Sequence, residues 1–121
     1  MKRLSQSILV LIAAAEKLGL NEEDVKIATE FATYYEFGLA FDQIVTQMFE
    51  YEIEIDNNFY LLLTTNAQMM NLEEDEYVCM KDLIRENGNV PQQVKDHLAR
   101  LVQSLDRWIE IIPSQRQKAS L

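Results

Sequence analysis

The chain has 121 residues, 48% of them hydrophobic and 26% charged, and its 20 acidic and 11 basic side chains leave a formal net charge of −9. That length supports one domain around one core. So anionic a surface repels a phosphate backbone, which argues against direct nucleic-acid binding, and attracts basic protein surfaces.

Only three Gly and two Pro interrupt a sequence rich in helix formers, so helices joined by short turns are expected. Lys2 and Arg3 precede an apolar run at residues 8–15, and the Ala13-x-Ala15 spacing resembles a signal-peptidase site. The same run carries Leu4, Ile8, Leu11, Ile12, Ala15 and Leu18 at helical spacing. A cut after Ala15 would leave a mature start, Glu16-Lys17-Leu18, that continues this stripe. The expectation is therefore an amphipathic first helix over residues 4–18, kept in a cytoplasmic protein and stopped by Gly19. The run is too short to span a bilayer.

Asn21 is the expected N-cap of a second helix, with Glu22, Glu23 and Asp24 at the positive end of its dipole and Val25, Ala28, Phe31, Ala32 and Tyr35 inward. A third helix begins near Glu36 and turns Phe37, Ala40, Phe41, Ile44, Val45, Met48 and Phe49 to the core; Gly38 in its first turn would let another helix approach. At residues 50–56 the period changes. Glu50, Glu52, Glu54 and Asp56 alternate with Tyr51, Ile53 and Ile55, as in an extended connection with every carboxylate on one face.

Asp56 or Asn57 caps a fourth helix carrying Phe59, Leu62, Leu63, Ala67 and Met70. The acidic run at residues 73–76 opens a fifth, with Tyr77, Met80, Leu83 and Ile84 inward, and Asn87-Gly88-Asn89 forms a turn. Pro91 suits the first turn of a last helix, whose stripe is Val94, Leu98, Leu101, Leu105, Trp108 and Ile112. Pro113 ends it, and residues 113–121 are expected to be a mobile tail. The expected fold is all-α: a compact single-domain bundle of about five to six helices, with its core over residues 4–112 and one extended acidic connection.

The charge is unevenly distributed. Residues 27–80 hold eleven carboxylates and no Lys or Arg, whereas residues 1–26 are neutral and residues 81–121 carry +2. All the aromatic residues except Trp108 lie in the same acidic block. An anionic surface with a few aromatic anchors is what a binder of a basic partner needs. Catalytic chemistry is not in evidence. His97 is the only histidine and has no second His or thiol to complete a dyad or a ligand set, and there is neither a glycine-rich phosphate loop nor a nucleophile elbow. Cys79 reads as a small core residue; as the only cysteine it excludes an internal disulfide and suits a reducing compartment. The Asp56-Asn57-Asn58 stretch lacks the spacing, central Gly and terminal Glu of a calcium loop. No enzyme, cofactor or metal site is expected.

The core Glu36-Phe37-Gly38-Leu39-Ala40, the exit Glu50-Tyr51-Glu52-Ile53 and the turn Met69-Met70-Asn71-Leu72 resemble the Maf-type family of immunity proteins. These are small helical proteins that neutralise secreted polymorphic toxins, and the immunity proteins of contact-dependent growth inhibition are of the same functional kind. The likeness covers residues 8–84; Tyr35 stands where the family pattern has Asn, and the last helix extends beyond its core. The resemblance implies a bacterial toxin inhibitor whose partner is a cognate toxin with a basic nuclease domain; a monomer or weak dimer without membrane association is expected. The expected partner-binding residues are Glu52, Glu54 and Asp56 first, then Glu36 and Asp42, with Glu50 and Tyr51 beside them. The competing expectation is a helical adaptor or homo-oligomer associating through the seam of the last helix.

Overall fold

The computed structural model describes the backbone of residues 2–85, 88 and 90–111, and the side chains of residues 3–85, 88 and 90–104. Within these residues the chain is all-α. Helices α1 (Lys2–Leu18), α2 (Glu22–Thr33), α3 (Phe37–Glu50) and α4 (Asn57–Met69) precede two short 3₁₀ helices, Glu74–Glu76 and Val78–Leu83, and α5 (Gln92–Ile111) follows them. None of these helices is long and apolar enough to cross a membrane.

The apolar run near the N-terminus forms the middle of the bundle. Helix α1 packs against α2, α3, α4 and α5, and its Ile8, Leu11, Ala14 and Ala15 have no exposed surface. Around it α3 contributes Phe37, Ala40, Phe41, Ile44, Val45 and Met48, and α4 contributes Phe59, Leu62, Leu63 and Ala67. Each large side chain buried there stabilises the fold by about 1.5–3 kcal/mol. One polar link crosses this interior. Ser7 Oγ donates to Asn66 Oδ1 at 2.9 Å while Asn66 Nδ2 donates to the Leu62 carbonyl at 3.0 Å, so α1 and α4 are joined with both buried groups satisfied.

Helices α1 to α4 end in the same way. After each last turn one residue adopts positive φ: Gly19 (120°), Tyr35 (62°), Glu52 (51°) and Asn71 (57°). The N–H beyond it reaches back to a carbonyl five residues earlier, Leu20 to Ala15 at 3.0 Å, Glu36 to Phe31 at 2.9 Å, Ile53 to Met48 at 3.0 Å and Leu72 to Ala67 at 2.9 Å. This is the Schellman arrangement, which satisfies the orphan carbonyls of a helix end and normally uses Gly. Glycine is present only at the first of the four ends.

That motif corrects the expected extended segment at residues 50–56. Helix α3 runs through Glu50, Tyr51 and Glu52 form its C-terminal turn, and Ile53 to Ile55 link that turn to Asp56, the N-cap of α4. Ile55 is fully buried and makes a parallel bridge to Ile84, its N–H donating to Leu83 O at 3.0 Å while Arg85 N–H donates to Ile55 O at 2.9 Å. The helix expected over residues 73–84 is also corrected. Tyr77, Met80 and Leu83 are buried at intervals of three, the period of a 3₁₀ helix, and Ile84 leaves the helix to make the bridge.

Two expected core aromatics face water: Tyr35 sits on the α2–α3 turn, and Phe49 on the outer side of the last turn of α3. Gly38 is exposed, with no atom within 4 Å of where a Cβ would stand, so no helix approaches it. In α5, Leu98 is fully buried and Val94 and Leu101 pack against the core, so the first half of the seam is occupied within the chain. The side chains of Leu105 and Trp108, together with Ile112, Pro113, the tail at 113–121 and Asn87 and Asn89 of the expected turn, lie outside the described residues.

Candidate functional site

The up-and-down course of the chain brings the C-terminal ends of α1 and α3 and the N-terminal ends of α2 and α4 to one end of the bundle. Three depressions lined by described residues lie there. A groove of about 660 Å³ runs between Phe49, Glu50, Glu52 and Glu54 on one side and Asp82, Leu83 and Arg85 on the other. A second, of about 630 Å³, lies between Tyr51 and the α2 start, Asn21 to Asp24 with Lys26. A smaller one, about 210 Å³, is bounded by Leu18, Gly19, Ile53, Glu54, Val90 and Pro91. Tyr51, 56% exposed, stands at the rim of the second depression, and Phe49, 43% exposed, lines the first.

The first groove carries four carboxylates and one guanidinium. Arg85 Nη1 donates to the carbonyls of Asp82 and Ile84, both at 2.8 Å, so its positive charge caps the second 3₁₀ helix. Glu50 and Glu52 are exposed, and α3 ends with no basic residue in its last turn, so its negative dipole end adds to their field. Glu54 is half-buried, its carboxylate against Gly88, where a Cβ would collide with it.

Asp56 is corrected as a surface residue. It is only 4% exposed, and its Oδ1 accepts the Phe59 N–H at 2.8 Å as the N-cap of α4. Its role is structural: Asp56→Ala is expected to lower stability by about 0.5–2 kcal/mol, read by urea denaturation, with Asp56→Asn keeping most of it. A Glu50 or Glu52 substitution should leave the same midpoint nearly unmoved.

Glu36 and Asp42 belong to a different part of the surface. Glu36 is the N-cap position of α3 and makes no side-chain capping bond; Glu50 is at the other end, about 20 Å away along a 14-residue helix. Asp42 is exposed between them, on the face that also presents Leu39, Thr46 and Phe49. The seven expected residues thus divide into an end cluster (Glu50, Tyr51, Glu52, Glu54), a capping residue (Asp56) and the outer face of α3 (Glu36, Asp42). The structure adds Glu22, Glu23, Asp82 and Phe49 to the end cluster. The first three fall just outside the 27–80 block, and antiparallel pairing of α2 with α3 is the signal that would have placed Glu22 and Glu23 beside Tyr51.

The groups with potential chemistry lie apart from this end cluster or are poorly suited to it. Burial, followed by Asp82, pushes the half-buried Cys79 thiol above its usual value, so it holds its proton at neutral pH. Among the described residues no three His, Cys, Asp or Glu side chains are grouped to hold a metal. Burial, then Lys17 on α1 and Arg100 on its own helix, lower His97 below its ordinary 6.5. The unfolded chain therefore takes up a proton near pH 6.5 that the folded chain resists, and stability falls as pH drops through that value. His97→Gln is expected to flatten the decline of Tm between pH 7 and 5; an unaltered slope would show that the carboxylates alone set it.

Comparison with known protein families, with curated proteins and with solved structures finds no match to this chain.

Proposed function

We propose that this protein is an immunity protein, which binds a cognate secreted toxin domain in the cytoplasm and neutralises it by covering the basic substrate cleft of an RNA-cleaving enzyme. The observation that carries the reading is the acidic end of the bundle, where Glu50, Glu52, Glu54 and Asp82 line one groove with Arg85, and Glu22, Glu23 and Asp24 line the next with Lys26 and the exposed Tyr51. A nuclease holds phosphates with Lys and Arg, and carboxylates at comparable spacing can occupy that cleft in place of the nucleic acid. Exposed aromatic side chains supply the apolar contact that charge alone lacks. The resemblance of residues 36–40, 50–53 and 69–72 to the Maf-type immunity proteins supports the toxin as the partner. The reading requires no catalysis, cofactor or metal from this chain.

Restraining a lethal enzyme takes a nanomolar dissociation constant or better, about −12 kcal/mol. The test is co-expression with the toxin domain encoded immediately upstream, isolation of the pair and an RNA-cleavage assay. A one-to-one complex without cleavage is the expected result. An active toxin that ignores the folded protein would overturn the proposal.

A further inference from the structure

The most exposed aromatic pair in the described structure is at the other end of α3. Tyr34 is 75% exposed and Tyr35 66%, on the turn that joins α2 to α3. Tyr35 adopts φ 62°, a conformation that costs a bulky side chain energy and that glycine adopts freely. Its ring meets that of Phe37 edge-on, with centroids 6.0 Å apart, and Phe37 is buried in the core. Tyr35 is therefore held from behind while most of its surface faces solvent. Glu36 beside it is exposed and makes no capping bond, and Leu39, 51% exposed, follows one turn later.

Two tyrosine rings, a carboxylate and an apolar side chain, on helices that carry no Lys or Arg after Lys26 on α2 and none on α3, suit an arginine side chain. A guanidinium can lie on a tyrosine face while donating to a carboxylate, and its alkyl stem can cover a leucine. We infer that the α2–α3 corner of Tyr34, Tyr35, Glu36 and Leu39 is an anchoring site for an arginine-bearing segment of a basic protein partner, separate from the acidic groove at the opposite end of α3. This rests on the reading of the protein as a binder of a basic partner and gives that partner a second point of attachment, about 20 Å from the first along α3. Arginine is preferred to lysine there because only the planar guanidinium can stack on a ring and donate along its edge at once.

The probe is a blocked tetra-arginine peptide titrated into the full chain at low salt, followed by backbone amide and tyrosine-ring NMR, with tetra-lysine in parallel. Saturable shifts at Tyr34, Tyr35, Glu36 and Leu39 are expected, with tetra-lysine weaker. In Tyr34→Ser/Tyr35→Gly the affinity read at this corner should fall about fivefold. Glycine suits the backbone at position 35, so Tyr35→Gly alone should keep Tm equal or higher, and loss of binding there would not reflect unfolding. Shifts confined to the Glu50–Glu52 end would overturn the corner and leave the basic-partner reading standing. Shifts at neither end would overturn both, and equal affinity for the two peptides would remove the arginine preference.

Discussion

Replacing Glu50 and Glu52 together by Lys is expected to weaken the proposed complex with a basic toxin domain by about 3 kcal/mol, roughly a hundredfold, while changing stability by no more than about 0.5 kcal/mol. The effect on binding comes from turning two attractive contacts into repulsive ones at the rim of a groove whose other carboxylates remain. Stability is spared because both side chains are exposed, and because Lys at position 52 carries the same positive-φ cost as Glu. At position 50 a cation even suits the C-terminal end of α3, which has no basic residue in its last turn. Glu54 is left intact, since its carboxylate sits against Gly88 and reversing it would disturb packing. Calorimetric titration at two salt concentrations reads the outcome. An unchanged affinity would shift the interface to the outer face of α3.

Phe41→Ala is expected to cost about 3–5 kcal/mol, a large part of the roughly 5–15 kcal/mol that holds a domain of this size together. Phe41 is 2% exposed, and its ring meets Tyr77 edge-on with centroids 6.2 Å apart, so it ties α3 to the 3₁₀ segment. That segment has no long helix to hold it and leans on a few such contacts: Tyr77 on Phe41 and on Tyr60, Met80 and Leu83 in the core, and Ile84 on Ile55. The cavity should therefore loosen residues 74–84 first. Urea denaturation should show an earlier midpoint, with near-ultraviolet dichroism of the tyrosines lost before the helical signal. A loss under about 1 kcal/mol would mean that Tyr77 and its neighbours collapse into the space.

Much of this architecture is written plainly in the residue pattern. The i, i+3, i+4 spacing in α1, α3 and α4 names the buried set with few errors, and the caps Asn21 and Asp56 lie where the polar residue before an apolar stripe predicts. The errors share a physical origin. Alternation at residues 50–56 looks extended because Glu52 gives no hint that it will adopt a conformation usually left to glycine. Spacing of 77, 80, 83 and 84 fits an α-helix as well as a 3₁₀ helix, and the hydrogen bonds from Met80 N–H to Tyr77 O and from Ile84 N–H to Lys81 O decide between them. Phe49 and Tyr35 are hydrophobic residues at the edge of an apolar stripe, where periodicity alone does not say which side of the edge meets water. As for the site, the sequence shows the sign of the surface and its aromatic content. It does not show that Glu36 and Glu50 lie at opposite ends of one helix, or that Glu22, Glu23 and Asp82 join the second of them, because those are consequences of how the helices reverse.

The Ile55–Ile84 bridge also sets a timetable for biosynthesis. Helices α1, α2 and α3 are neighbours in sequence as well as in space, so they can collapse on one another while later parts of the chain are still being made. The acidic groove cannot exist at that stage, because its second wall, Asp82 to Arg85, is positioned by a pairing between residues 29 positions apart. At about 5–20 residues per second of synthesis, that wall emerges roughly 1.5–6 s after Ile55. The tyrosine corner, complete once α3 has folded, would be open to a basic partner before the groove is.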